Sequence, residues 1–210
     1  MYFEYDNKQY LIVVVKKGLQ NTYIRIKDDK VYITTSLLVT KNSIRNLINA
    51  NQNKINKMII SYVKRKEDMS KLVYLGNIYD IILLDNEHQV SFVGNKVYVK
   101  NIETLNKFMT YETKQILLDH YYQVHKKLDL NILMYTPRIR KMKSRWGVCN
   151  KKSQTITLNS NLIKYEADVI DYVIIHELCH QIVFNHSPDF WRLVENYCPN
   201  YKQMRKKLKE

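Results

Sequence analysis

Glycine and proline are scarce, four and three in 210 residues, which excludes a collagen-like chain or a Pro/Gly-rich disordered tract. Cysteine is scarcer than a disulfide framework requires. Cys149, Cys179 and Cys198 are odd in number, widely spaced and without a CxxC pair, so a reducing compartment is favoured. No apolar run approaches the length of a membrane span. The N-terminus, Met1-Tyr2-Phe3-Glu4-Tyr5-Asp6, lacks the basic and apolar regions of a signal peptide. A cytoplasmic protein with no membrane partner is the expectation. Acidic residues are the last shortage: 20 against 34 Lys and Arg, a formal charge of +14. Such a surplus permits nucleic acid, anionic surfaces or phosphorylated substrates as partners. Lysines scattered over a soluble surface give the same count.

What is present is enough hydrophobic sequence, 45% of the chain, to build a proper core. The first part is rich in β-branched and aromatic residues: 10–15, 22–26 and 30–34 are expected strands, the last two joined around Lys27-Asp28-Asp29. Between Thr40 and Arg65 the period lengthens to that of a helix, with Thr40 or Ser43 as a cap and 49–53 as a division into two. A second strand group follows at 78–84, 89–93 and 96–99, similar to the first in composition and order. A helix over 102–128 carries His120 and His125, which suit a surface or boundary. Beyond it come a strand over 132–136, the basic segment 138–143, and a hairpin from 144–149 and 155–159. The edge of that hairpin could hold an extended substrate by backbone pairing. The division expected is 1–100, a β-rich region with inserted helices, and 101–210, a catalytic region.

The chemistry is concentrated at His176-Glu177-Leu178-Cys179-His180, inside the apolar run from Val169 to Phe184. Polar groups buried in such a helix need partners or a metal. His176 and His180, four apart, share a face. Two imidazoles beside a carboxylate suit Zn2+ and a general base. A catalytic zinc takes three protein ligands. His186 and Glu195 compete for the third place. Asn185 can adopt the left-handed conformation that ends a helix, and Ser187-Pro188-Asp189 starts the next, so His186 falls at a corner where it can turn back to the metal. Phe190, Trp191, Val194 and Tyr197 form the packing face of the next helix, with Glu195 on its solvent side, which favours His186. Cys179 suits a buried structural thiol.

The pentapeptide, together with Asn185-His186-Ser187-Pro188 and Phe190-Trp191, resembles the YgjP-like family of predicted zinc metallopeptidases, related to the SprT-like and WLM peptidases. Ser144-Arg145-Trp146-Gly147-Val148-Cys149 is similar to that family's second signature, in which serine is usual where Val148 stands. The resemblance implies His176, His180 and His186 as ligands and Glu177 as the catalytic residue. It also implies an α+β fold: a β-rich N-terminal half with helices, on a minimal zincin-like core with an antiparallel hairpin and a buried HExxH helix. Val148 removes a hydroxyl from the expected cleft and so affects substrate contacts more than metal binding.

The expected activity is hydrolysis of a peptide or protein by zinc-activated water, with Glu177 as base. Arg145 and Tyr172 are candidates for oxyanion contacts without a spacing argument to support either. Two alternatives compete: a metal-dependent nucleotide or phosphoanhydride hydrolase that uses the basic segment, and a non-enzymatic, zinc-stabilised nucleic-acid-binding protein. Substrate specificity and oligomeric state are not encoded in any motif.

Overall fold

Two sheets of the same design begin the chain. In the computed structural model, which describes residues 1–87, 89–128 and 130–209, strands β1 (Tyr2–Tyr5), β2 (Lys8–Lys16), β3 (Tyr23–Lys27) and β4 (Lys30–Thr35) form a sheet in the order β1-β2-β4-β3. Helices α1 (Lys41–Ala50) and α2 (Gln52–Met69) follow. Strands β5 (Lys71–Tyr74), β6 (Asn77–Leu83), β7 (Ser91–Val93) and β8 (Lys96–Val99) repeat the order as β5-β6-β8-β7, and α3 (Ile102–Lys127) follows them. In each sheet the outer pairs are antiparallel and the central pair parallel. The two-residue turns also correspond: Asp6-Asn7 and Asp28-Asp29 have positive φ in the first sheet, as do Leu75-Gly76 in the second. Such turns match the twist of the strands that they join.

The chain divides into two compact units, Met1–Ser70 and Lys71–Glu210. Strands β5 to β8, grouped by the sequence with the β-rich N-terminal region, therefore lie in the second unit. In the first unit, alternate residues of β2 and β4 turn inward. Tyr10, Ile12, Val31 and Ile33 meet Ile44, Ile48, Ile55 and Ile59 from α1 and α2 in one buried cluster. Thr40 caps α1 by accepting the Ser43 N–H, and the division at Asn51 is as expected.

In the second unit, β9 (Thr136–Arg140), β10 (Gly147–Asn150) and β11 (Thr155–Asn159) form a sheet in the order β10-β11-β9. A 3-10 turn over Ser160–Lys164 leads to α4 (Ala167–Cys179), followed by α5 (Pro188–Tyr197) and α6 (Tyr201–Lys207). Nine of the thirteen residues of α4 are buried, and Ile170, Ile174 and Leu178 are fully enclosed. An apolar helix of this kind is stable only with neighbours on most faces. Residues from α3, β11, α5 and α6 supply them in one continuous cluster. The β5–β6 turn is tied to the same region: Leu75 N–H donates to the Ile163 carbonyl at 2.8 Å and Gly76 N–H to that of Lys164 at 3.2 Å. Gly76 has φ +79, and a Cβ there would lie 2.5 Å from Glu166 Cγ. Conformation and space both require glycine.

Four local expectations are corrected. The strand expected over 132–136 is instead β9, beginning at Thr136. Side chains of α3 take up backbone acceptors of the preceding segment: Tyr121 Oη donates to the Tyr135 carbonyl at 2.7 Å, and His125 Nε2 lies 3.4 Å from that of Leu133. Pro137 is accommodated because β9 is an edge strand. The strand expected from Ser144 begins at Gly147. The helical run expected to reach Phe184 ends at Cys179, with His180 as C-cap. There the chain tightens, as Gln181 and Ile182 N–H bond to the Leu178 and Cys179 carbonyls at 3.0 Å each. Finally, Asn185 is not left-handed. Its side chain accepts the Ser187 N–H at 3.4 Å.

A candidate metal centre

Two irregular segments flank the end of α4, and each is held by a side chain. Segment 141–146, between β9 and β10, depends on Asn159 at the end of β11. Its Nδ2 donates to the Met142 and Arg145 carbonyls at 3.0 and 2.7 Å, and its Oδ1 accepts the N–H groups of Met142 and Asn161. Asn159 is 3% exposed, so these groups have little access to water as a substitute. Asn159→Ala is expected to cost about 2–3 kcal/mol through buried groups left unpaired. The urea midpoint measures it; a loss under about 1 kcal/mol would show that the segment is held by other means.

The last turn of α4 carries His176 and Glu177, and His180 caps it. Ser187 starts α5 as its N-cap, accepting the Phe190 N–H, with Pro188 in the first turn. His186 lies just ahead of this cap, at the corner between the helices. Possible ligand atoms of His176, His180 and His186 all lie within 4.8 Å of one another. Nε2 of His176 and Nε2 of His186 are 3.1 Å apart. The wall behind them is aromatic: Phe190 stacks on His180 with centroids 4.4 Å apart, and Trp191 on His186 at 5.6 Å. Glu195 is exposed and pairs with Lys202 at 3.9 Å. It does not join the histidines.

The donor set fits a zinc ion. The Val183 carbonyl can only accept, so the 3.0 Å contact with His180 Nδ1 fixes the proton there and leaves Nε2 with its lone pair. A backbone carbonyl often orients a metal-binding imidazole in this way. Burial pushes His176 down to about 3, assisted by His180, His186 and Arg205. It is therefore a neutral nitrogen donor. Nitrogens about 2.0–2.1 Å from a tetrahedral zinc stand roughly 3.3 Å from each other, close to the observed Nε2 separation of 3.1 Å. His176 Nδ1 is buried without a hydrogen-bond partner.

Glu177 lies against β10 at Gly147 and lines the same cavity as His176. It is 6% exposed. Burial pushes its carboxyl up to about 7, against the opposing effects of the Cys149 backbone hydrogen bond and the Arg145 charge. Gly147 gives it room: a Cβ there would lie 2.5 Å from Glu177 Cγ and Oε1. Glycine within a strand often marks a close approach of this sort, and that signal was available in the sequence. Tyr172 is buried one turn before His176, with ring centroids 6.0 Å apart. Arg145 is exposed. Cys179 is fully buried and free, and burial pushes its thiol up to about 12. His120 Nδ1 meets Asp171 Oδ1 at 2.6 Å, which joins α3 to α4. The basic residues Arg138 and Arg140 lie on β9, across the sheet from β10. No described helix is long and apolar enough to cross a membrane.

Residues 20–210 match the model of a family described as YgjP-like, metallopeptidase domain. Among solved structures, the chain is similar to the metallopeptidase zymogen jannalysin of Methanocaldococcus jannaschii. Identity is 24%, the TM-score is 0.38, and the likeness covers 44% of this chain and 96% of that one. It is also similar to the metallopeptidase zymogen abylysin of Pyrococcus abyssi, with 28% identity, a TM-score of 0.37, and coverage of 45% of this chain and 90% of that one. No curated protein matches.

Proposed function

We propose that this chain, which belongs to the YgjP-like metallopeptidase family, is a zinc-dependent peptidase with His176, His180 and His186 as ligands and Glu177 as general base. The observation that carries the proposal is the meeting of three imidazoles at the α4 terminus beside a buried carboxylate that lines the same cavity as His176. We assign 101–210 as a zincin-like catalytic region, in the same compact unit as β5 to β8. Three free thiols suit a reducing compartment, the cytoplasm.

When bound, zinc supplies Lewis acidity, which acidifies water and polarises the scissile carbonyl. Glu177 takes the proton from the attacking water and delivers it to the leaving nitrogen. The Cys149 N–H holds the carboxylate, and Gly147 lets it lie against the strand. As an edge strand beside Glu177, β10 offers backbone groups to an extended peptide. The basic strand β9 occupies the opposite edge, so its charge gives little support to a phosphate ester as substrate at Glu177.

Zinc-loaded protein is expected to cleave an unfolded protein or a mixed peptide pool. Chelation should abolish cleavage, and added zinc should restore it. His186→Ala should lower zinc stoichiometry and hydrolysis together. Phosphate release from nucleotides, without any peptide cleavage, would replace this function with phosphoanhydride hydrolysis.

A further inference from the structure

Beside the histidines opens a cavity of about 270 Å³, whose lining includes Trp146, Tyr172, His176, Glu177, Arg205 and Lys209. The carboxylate in this wall, Glu177, is already engaged by the Cys149 N–H. The two cations come from α6 and the residues just after it. Lys202 pairs with Glu195 and Lys207 with Glu166, whereas no described carboxylate pairs with Arg205. Its guanidinium carbon lies 4.9 Å from the centroid of Trp191. Trp191 is itself held in place, stacked on His186 and, at 5.3 Å with a 17° interplanar angle, on Tyr201.

A guanidinium resting on an indole face has surrendered much of its rotational freedom before any ligand arrives. It keeps its planar fork of N–H donors, which matches a carboxylate.

We propose that Arg205, steadied by Trp191, anchors a carboxylate of the substrate, so that the site selects peptides carrying an acidic side chain or a free C-terminus next to the bond cleaved. This rests on the peptidase function proposed above. Charge-assisted hydrogen bonds of this kind are expected to contribute about 10- to 100-fold in affinity.

The test uses zinc-loaded Glu177→Gln protein, so that binding is read by calorimetry without turnover. Three acetylated tetrapeptide probes are compared: all-alanine with a free C-terminus, all-alanine with a C-terminal amide, and the amide with one alanine replaced by glutamate. At least one acidic probe should bind ten-fold or more tighter than the neutral amide, and the stronger of the two identifies the source of the carboxylate. Adding Arg205→Gln should cancel the preference, and Arg205→Lys should retain part of it. Lys206→Gln, on the same helix but outside the cavity lining, should preserve it. Equal binding of all three probes, or a preference that survives Arg205→Gln, overturns the proposal. Carboxylate-dependent binding without cleavage by the parent protein would count against the peptidase function and leave the anchor standing.

Discussion

Glu177→Gln protein is expected to hold zinc as the parent does and to lose about 10²- to 10⁴-fold of its peptide-hydrolysis rate, the usual contribution of a general base. The amide keeps the shape of the side chain and an oxygen to accept the Cys149 N–H, but it cannot take a proton from water. Folding should not suffer. Burial already disfavours the charged form of Glu177, so a neutral isostere removes a desolvation cost. The metal-free variant should melt no lower than the parent. Zinc analysis, a melting curve and single-turnover kinetics on one preparation separate the three effects. A zinc-replete variant that keeps more than a tenth of the parental rate would remove Glu177 from the proton-transfer role.

Gly147→Ala is expected to lower kcat by about 10²-fold, the scale on which a displacement near 1 Å degrades an aligned reaction. Backbone strain is not the cause, because Gly147 does not have positive φ. The new methyl would sit 2.5 Å from Glu177 Oε1 and 2.7 Å from Cδ, and the buried carboxylate must move. Overpacking should also cost about 1–3 kcal/mol of stability. Zinc content should be unchanged, since the imidazoles come from α4 and the corner before α5. Gly18→Ala is the control, because its Cβ would meet nothing within 4 Å. Unaltered kcat in Gly147→Ala protein would show that Glu177 tolerates displacement.

The contrast between these glycines shows what was legible in the sequence. Helical spacing gave α1 and α3 nearly to the residue and α2 short by one turn at its end, because each carries its own apolar period and Thr40 and Asn101 cap locally. The pentapeptide and Ser187-Pro188 pointed to the three imidazoles that meet at the α4 terminus for the same reason, since spacing along one helix and a cap are local features. Pairing across the chain was hidden. Residues 132–136 have strand-forming composition, yet Tyr121 and His125 engage their carbonyls from α3, and the basic segment forms the strand instead. Asn159 gave no sign that it holds segment 141–146. The matching order of the two four-stranded sheets was faint because topology can recur without residue-level similarity.

The tryptophan stack has a practical consequence. The chain has two tryptophans: Trp146 lines the cavity and Trp191 rests between a histidine corner and Arg205. All indole emission therefore originates at the cavity or beside the histidine cluster. Imidazole and guanidinium neighbours perturb excited indole, so metal loading and peptide capture should each alter intensity or wavelength. The unlabelled protein thus carries its own optical probe, in which Trp146→Phe and Trp191→Phe would assign the signal to cavity or histidine corner.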